Sequence, residues 1–178
     1  MKPHIVQFFK FLEKKEDKRA PLKVKLLNPK DFKLSPEELN VKGDLNLSNT
    51  SLQSLPDNLK VGRNLIIMYT PMRTPPDNLT VGGTLSLGNT PITSLPNNLT
   101  VGWTLSLSST LIKSLPDNLT IKGDLWLDST PIGSLPDNLK VEGDLFLFNT
   151  PLTKKYTRKE IRSMIEENGG YVKGRIKI

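Results

Sequence analysis

The feature that most constrains the fold of this chain is an internal repeat with a period of twenty residues. The repeated unit reads V-x-G-x-L-x-L-x-x-T-P-I-x-S-L-P-D-N-L-x. A fixed period of this length is typical of a solenoid, in which each unit buries its apolar residues against the next. Positions are numbered one to twenty from the first residue of each unit. The six units begin at Val41, Val61, Val81, Val101, Ile121 and Val141.

The first half of each unit predicts an extended chain. Positions one, five and seven are apolar, as in Val81, Leu85 and Leu87, and position three is usually glycine. This alternation with a period of two indicates extended backbone over positions one to eight, with these side chains directed inward. Position ten is Thr in every unit. We expect its hydroxyl to satisfy backbone groups where the chain turns, each coil bonding the next.

The second half of each unit predicts a return without a helix. A Ser-Leu-Pro-Asp-Asn-Leu segment, such as residues 54–59, recurs in most units. The residue before a proline is disfavoured in a helix, and Pro-Asp-Asn is a strong turn sequence. Twenty residues leave no room for a full helix as well as a strand. We therefore expect coils that stack about 4.8 Å apart, as neighbouring strands do.

A family resemblance is carried by residues 85–96, which read L-S-L-G-N-T-P-I-T-S-L-P. This segment resembles the L-x-L-x-x-N-x-L core of leucine-rich repeats, with Thr90 in place of the usual Asn. The short period is similar to that of secreted bacterial effectors, and similar units occur in phage proteins. The resemblance covers about residues 34–153 and implies a right-handed, leucine-rich-repeat-like solenoid of parallel β-strands. A more regular β-solenoid stays open, because the leucine expected three residues before Leu85 is Gly82.

The resemblance to effector repeats also implies a function. Such effectors interfere with a host or cellular protein, and many carry a separate ligase domain that needs a cysteine. This chain has no cysteine. The resemblance therefore implies a free-standing protein binder or inhibitor of bacterial or phage type, without ligase activity.

Both ends of the repeat array are predicted to be caps, because an exposed solenoid end would leave an apolar face and unpaired strand edges. We divide the chain into an N-terminal cap with a degenerate repeat (1–40), six repeats (41–153) and a C-terminal cap (154–178). The segment 35–39 echoes the return of a repeat. A helical face that could cover the first coil is formed by Ile5, Phe8, Phe9 and Leu12.

The C-terminal cap is predicted to be a helix followed by a strand. Thr157 and Glu160 have the spacing of a capping box, which marks the start of a helix. Its apolar stripe is short, and Gly169 and Gly170 are expected to end it. From Val172 onward, apolar and basic residues alternate, which predicts a strand.

The charge of the chain is concentrated at its ends. Ten Lys and Arg residues accompany four Asp and Glu in residues 1–33, and eight accompany three in residues 151–178. The repeats between them are mildly acidic. The absence of cysteine excludes disulfides and thiolate metal sites. No apolar run reaches the length of a membrane span and the N-terminus is too charged for a secretory signal, so we expect a cytoplasmic protein.

Binding residues are expected among the outward positions that vary. Positions six and eight are mostly small and polar, and two clusters of large apolar residues interrupt them. Exposed aromatic side chains commonly anchor protein partners. Trp103, in place of glycine at position three, is expected to be extruded. The predicted protein-binding residues are Trp126, Phe146, Phe148 and Asp128 in one cluster, Ile66, Met68 and Tyr69 in the other, and Trp103.

Two alternatives to this interpretation stay open. The C-terminal helix could cover the Trp126 cluster, and the N-terminal segment could cover the Ile66 cluster. The basic ends could instead bind nucleic acid or an acidic partner, although no nucleic-acid motif accompanies them. Exposed terminal strands also allow a homodimer through edge pairing. The candidate contacts for nucleic acid are Lys154, Lys155, Arg158, Arg162, Lys173 and Arg175.

Enzymatic activity is not expected. The single histidine, His4, lies near a terminus without an evident partner, which argues against a Ser-His-Asp arrangement and a histidine metal site. Asp124 and Asp144 lie one coil apart and form a close pair of carboxylates. Aspartate is also the expected residue where a turn meets a strand, and we favour that structural role. No cofactor, metal or membrane partner is predicted.

Overall fold

The computed structural model describes residues 21–28 and 34–178. The predicted helical face at Ile5, Phe8, Phe9 and Leu12 lies outside these residues. Within them the chain is a parallel β-solenoid with a helix before it and two helices near its C-terminal end. No helix among the described residues is both long enough and apolar enough to cross a membrane.

Each coil contributes two short strands, one on each side of a bend. The strands before the bend are Asn40–Val41 (β1), Lys60–Val61 (β3), Thr80–Val81 (β5), Thr100–Val101 (β7), Thr120–Ile121 (β9), Lys140–Val141 (β11) and Tyr171–Val172 (β13). The strands after the bend are Leu45–Asn46 (β2), Leu65–Ile66 (β4), Leu85–Ser86 (β6), Leu105–Ser106 (β8), Leu125–Trp126 (β10), Leu145–Phe146 (β12) and Ile176–Lys177 (β14).

Neighbouring coils pair in parallel and in register. The strands after the bend form one sheet in the order β14-β12-β10-β8-β6-β4-β2. The strands before the bend form two sheets, β1-β3-β5-β7 and β13-β11-β9. Residues twenty apart are direct partners, for example Leu125 with Leu145. The predicted stack of coils of equal length is therefore confirmed for the repeats.

The single extended stretch predicted over positions one to eight is wrong, because each coil bends at positions two to four. Side chains at position four hold this bend by accepting a hydrogen bond from the next coil. Asn64 N donates to Asp44 Oδ1 at 3.0 Å, and Asp144 N donates to Asp124 Oδ1 at 2.8 Å. The carboxylate pair at Asp124 and Asp144 thus has the structural role that the sequence favoured.

The core runs through the centre of the stack as columns of inward side chains. Val81, Leu85, Leu87 and Ile92 are all fully buried, and each other coil repeats most of this set. Burial of one such side chain stabilises the fold by about 1.5–3 kcal/mol. The return side between these columns is neither helix nor strand, as the proline-rich segments predict.

The threonine at position ten bonds within its own coil. Thr90 Oγ1 donates to Leu87 O at 2.5 Å, and Thr130 Oγ1 donates to Leu127 O at 2.6 Å. The expectation that this hydroxyl joins one coil to the next is wrong. The turn at positions eight and nine returns the chain beside the carbonyl of position seven, so the nearest acceptor belongs to the same coil.

The N-terminal end of the array begins with a short helix, Leu22–Leu27 (α1). Lys25 is buried and forms a salt bridge with Glu38, which ties α1 to the first coil. Lys60 N donates to Leu39 O at 2.8 Å, as Thr80 N does to Leu59 O in the next coil. Residues 35–39 therefore take the place of a repeat's return segment, as their sequence predicted.

The C-terminal end contains the helices Pro151–Lys155 (α2) and Arg158–Glu167 (α3). The predicted capping box of Thr157 and Glu160 is present at the start of α3. The tail is not one strand but the first part of a seventh coil, with Val172, Gly174 and Ile176 at positions one, three and five. α2 and α3 replace the return side of coil six.

Candidate protein-binding surface

The variable outward positions lie on one face of the solenoid, formed by the seven-stranded sheet and called here the strand face. Trp126 on β10 and Phe146 on β12 are register partners. Their rings stack with centroids 3.7 Å apart and planes inclined by 8°. Equal coil length explains this contact, because residues twenty apart stand side by side. Both side chains are half-buried.

Phe148 and Asp128 extend this stacked pair toward the edge of the strand face. Phe148 is 43% exposed, and its amide donates to Asp128 Oδ1 at 2.9 Å. Burial raises the pKa of Asp128, while hydrogen bonds from Phe148 N and from Ser108 act in the opposite direction. Asp128 thus places a carboxylate in the coil next to Phe148. Trp126, Phe146 and Phe148 are called the aromatic patch.

The C-terminal cap flanks the aromatic patch from the side. β14 pairs with β12 and brings Lys177 beside Phe146. The α3 helix contacts β13 and β14, and its Met164 and Ile165 line a cavity together with Leu135 on the return side. The helix thus packs at the end of the stack, and Phe148 stays exposed to solvent.

A second cluster lies at the other end of the strand face. Ile66 and Met68 are half-buried there, and Tyr69 is 57% exposed. Tyr69 has a φ of 57°, in the left-handed region, which is a strained conformation for a bulky residue. The equivalent residues in the other repeats are all Asn or Ser: Asn49, Asn89, Ser109, Ser129 and Asn149. Ile66, Met68 and Tyr69 are called the tyrosine patch.

Small residues separate the two patches. Ser86 and Gly88 in coil three and Ser106 and Ser108 in coil four occupy the outward positions between them. Coil two and coil five are three steps apart, which corresponds to about 14 Å at the usual strand spacing. The strand face is therefore a shallow polar floor with an apolar wall on each side.

Trp103 projects from the bend beside this face. It is 59% exposed, and Arg63 at the same position of coil two is also exposed. The predicted extrusion of the indole is confirmed. Trp103 N donates to Gly83 O at 3.1 Å and Gly123 N donates to Trp103 O at 3.1 Å, so the hydrogen bonds between position-three residues continue through Trp103. Trp103 and Arg63 lie at the bend, where their side chains reach solvent.

The basic residues of the C-terminal segment divide into two groups. Lys154, Lys155 and Arg158 are exposed on α2 and α3. Arg162 and Lys173 have partners within the protein: Arg162 donates to two backbone carbonyls, and Lys173 pairs with Glu142. The side chain of Arg175 is exposed, while its backbone amide donates to Asp144 Oδ1 at 2.6 Å.

Glu142 is a local electrostatic centre on coil six. Hydrogen bonds from Lys173 and from Tyr171 lower the pKa of Glu142, and the same contacts raise the pKa of Tyr171 and of Lys173. These groups join the last two coils rather than forming a cleft for chemistry. Within the described part of the chain, no group of three or more acidic, histidine or cysteine side chains could hold a metal ion.

Two features of this surface could not be located by sequence reasoning. The strain at Tyr69 has a sequence signal, since Asn or Ser fills this position in the other repeats, but the sign of φ needs coordinates. The position of Lys177 beside Phe146 follows from the seventh coil, which is recognisable only if the tail is aligned with the repeat.

Comparison with models of protein families gave no match, nor did comparisons with curated proteins and with solved structures.

Proposed function

We propose that this protein is a non-enzymatic protein-binding module that captures its partner on the strand face. The aromatic patch is the primary contact in this proposal, with the tyrosine patch, Trp103 and Asp128 at the rim. In keeping with the resemblance to effector repeats, the module acts as a free-standing binder or inhibitor of a cellular protein. A cysteine-free chain of this type is suited to the cytoplasm.

The observation that carries the proposal is the exposure of large apolar side chains on an otherwise small and polar face. Phe148 and Tyr69 are each about half exposed at positions where serine or asparagine satisfies the fold elsewhere. Aromatic residues in such places are enriched at interfaces, where a few of them carry most of the binding energy. The fold alone gives no reason to place them there.

The strain at Tyr69 supports the same proposal independently. A non-glycine residue in the left-handed region costs about 1–3 kcal/mol. Asparagine tolerates this region best among the non-glycine residues, and it is present at the equivalent Asn49, Asn89 and Asn149. A tyrosine therefore reduces stability here, which is expected where a side chain is retained for binding.

Nucleic-acid binding is the alternative function. It would rely on Lys154, Lys155, Arg158 and Arg175, whose side chains are exposed, because Arg162 and Lys173 already have partners within the protein. Binding to phosphates weakens steeply with salt. The affinity of a protein complex formed through the aromatic patch depends much less on salt concentration. A salt titration of binding to generic DNA and RNA therefore distinguishes the two functions.

The proposal is tested by capture of a partner from lysate with the double variant Trp126→Ala and Phe146→Ala. We expect this variant to remain folded and to lose the partner that the wild-type protein retains. Leu111→Ser is the matched control, because Leu111 is 52% exposed on the return side and Ser51 occupies the equivalent position. The proposal fails if the folded double variant retains the same partner, or if the control loses it equally.

A further inference from the structure

Coil seven presents a defined set of backbone acceptors at one end of the described stack. Within the stack, the amides of positions two and three donate to the preceding coil, except at position two of coil five. At coil seven, Lys173 N donates to Val141 O at 2.9 Å and Gly174 N donates to Gly143 O at 3.0 Å. The amides at positions two and three of an eighth coil would therefore donate to Val172 O and Gly174 O.

Both of these carbonyl oxygens are already occupied by one side chain. Arg162 Nη1 donates to Val172 O at 2.6 Å, and Nη2 donates to Gly174 O at 2.8 Å. Arg162 is half-buried on α3, which is anchored by the buried Ile161 and Ile165. A guanidinium group presents its donors in a rigid planar fork. Its two nitrogens thus replace the two amides that an eighth coil would supply.

The first coil has the complementary groups. Across residues 21–28 and 34–178, no acceptor is bonded to the amide of Lys42 or of Gly43, which occupy positions two and three. The first coil of a second copy could therefore continue the ladder at coil seven. Such a head-to-tail contact does not close on itself and would propagate into a filament.

We propose that Arg162 terminates the solenoid by blocking this docking of a second copy at coil seven. Charge alone does not block it, since alignment would set Lys42 beside Lys173 but also Asp44 beside Arg175. The obstacles at coil seven are therefore the two carbonyls that Arg162 occupies and α3, the helix that holds Arg162 against β13 and β14. The homodimer predicted from exposed strand edges would then form at this end only when Arg162 is removed.

The test replaces Arg162 in the full chain with methionine, which keeps an unbranched stem and removes both donors. Sedimentation velocity measures the mass of both proteins as their concentration is raised. We expect the wild-type protein to keep the mass of a monomer, and Arg162→Met to reach at least twice that mass. Thr157→Ala is the control, because it weakens the cap of α3 without altering the guanidinium contacts. This control should stay monomeric.

A second variant tests the geometry of the contact. Lys42→Pro removes the amide that would pair with coil seven, so adding it to Arg162→Met should restore the monomer. The proposal is overturned if folded Arg162→Met stays monomeric at every concentration, or if the wild type assembles equally. It is also overturned if the double variant still assembles, or if Thr157→Ala assembles as readily as Arg162→Met.

Discussion

Coils two to four each have a closely packed glycine at position two, whereas coils five to seven have one at position three only; coil three has both, Gly82 and Gly83. A Cβ at Gly82 or Gly102 would collide with a backbone oxygen of the preceding coil. At position three, a Cβ at Gly143 or Gly174 would likewise collide with backbone atoms of the preceding coil. One repeat sequence therefore supports two blocks of coils, with different packing at the bend.

The two blocks meet at a junction where the ladder before the bend is open. β7 and β9 do not pair, although β8 and β10 do. Among the residues that the structure describes, no backbone oxygen accepts from Thr120 N or Lys122 N, and a cleft of about 310 Å³ separates the coils. We attribute the opening to Lys122, because its Cβ would meet Gly102 O if coil five packed as coils two to four do. Glu142 at the same position is accommodated, since coil six packs closely at position three instead. A change of one corner residue thus ends one block and begins the next.

The largest expected effect of this difference is on hydrogen exchange. The amides of Thr120 and Lys122 should exchange at least ~100-fold faster than those of Thr100 and Gly102, which donate to Leu79 O and Val81 O. Exchange measured by NMR or mass spectrometry checks this. Equal protection on both sides of the junction would mean that the solenoid is one continuous block.

Glycine substitutions compare the bend with the return side. Gly82→Ala should lower the free energy of unfolding by about 1–3 kcal/mol, because the added methyl overpacks against a backbone oxygen. Gly133→Ala is the matched control, since nothing lies within 4 Å of its Cβ, and it should change stability by about 0.5 kcal/mol or less. Urea denaturation measures both. Equal effects would contradict the close approach at position two.

The junction can also be altered directly. Lys122→Gly removes the side chain that separates the blocks, so the ladder between β7 and β9 should close. We expect the exchange of Thr120 N to slow by at least ~10-fold, which corresponds to about 1.4 kcal/mol of added protection. Unchanged exchange would show that another residue keeps the junction open; Asn97, which stands where the other repeats have Asp, is the next candidate.

The smallest expected effect concerns the acidic residues that hold the ends of the blocks. The hydrogen bond from Lys25 lowers the pKa of Glu38, and that from Lys173 lowers the pKa of Glu142. A carboxyl whose pKa is lower in the folded than in the unfolded protein stabilises the fold at pH values above its unfolded pKa of 4.5. This stabilisation is lost as the pH falls through the folded pKa. Acid unfolding should therefore begin below that pH. Glu38→Gln should reduce the slope of the free energy of unfolding against pH in this range. A slope unaffected by this change would contradict the role of Glu38.

Much of this architecture was accessible from the sequence, because the period dictates which residues are neighbours. The stacking of Trp126 on Phe146 follows from a spacing of twenty and needs no coordinates. The bend at positions two to four was missed because glycine at position three fits both an inward strand position and a corner. The open junction was missed because its cause, Lys122, is conspicuous only once the packing of Gly102 is known.

The seventh coil shows a different limit. Val172, Gly174 and Ile176 have the spacing of a repeat, but they follow coil six after an insertion that breaks the period. Periodicity alone therefore describes the tail as a strand. The role of Arg162 depends on this coil, since its acceptors exist only where the stack ends.

The most direct test of the proposed binding surface is the affinity of the captured partner for Phe148→Ser and Tyr69→Asn. Each substitution introduces the residue that other repeats use at that position, so the fold should tolerate both. We predict that each weakens binding at least ~10-fold, which corresponds to about 1.4 kcal/mol, while Leu111→Ser leaves it unchanged. Unchanged affinity in both strand-face variants would contradict the account.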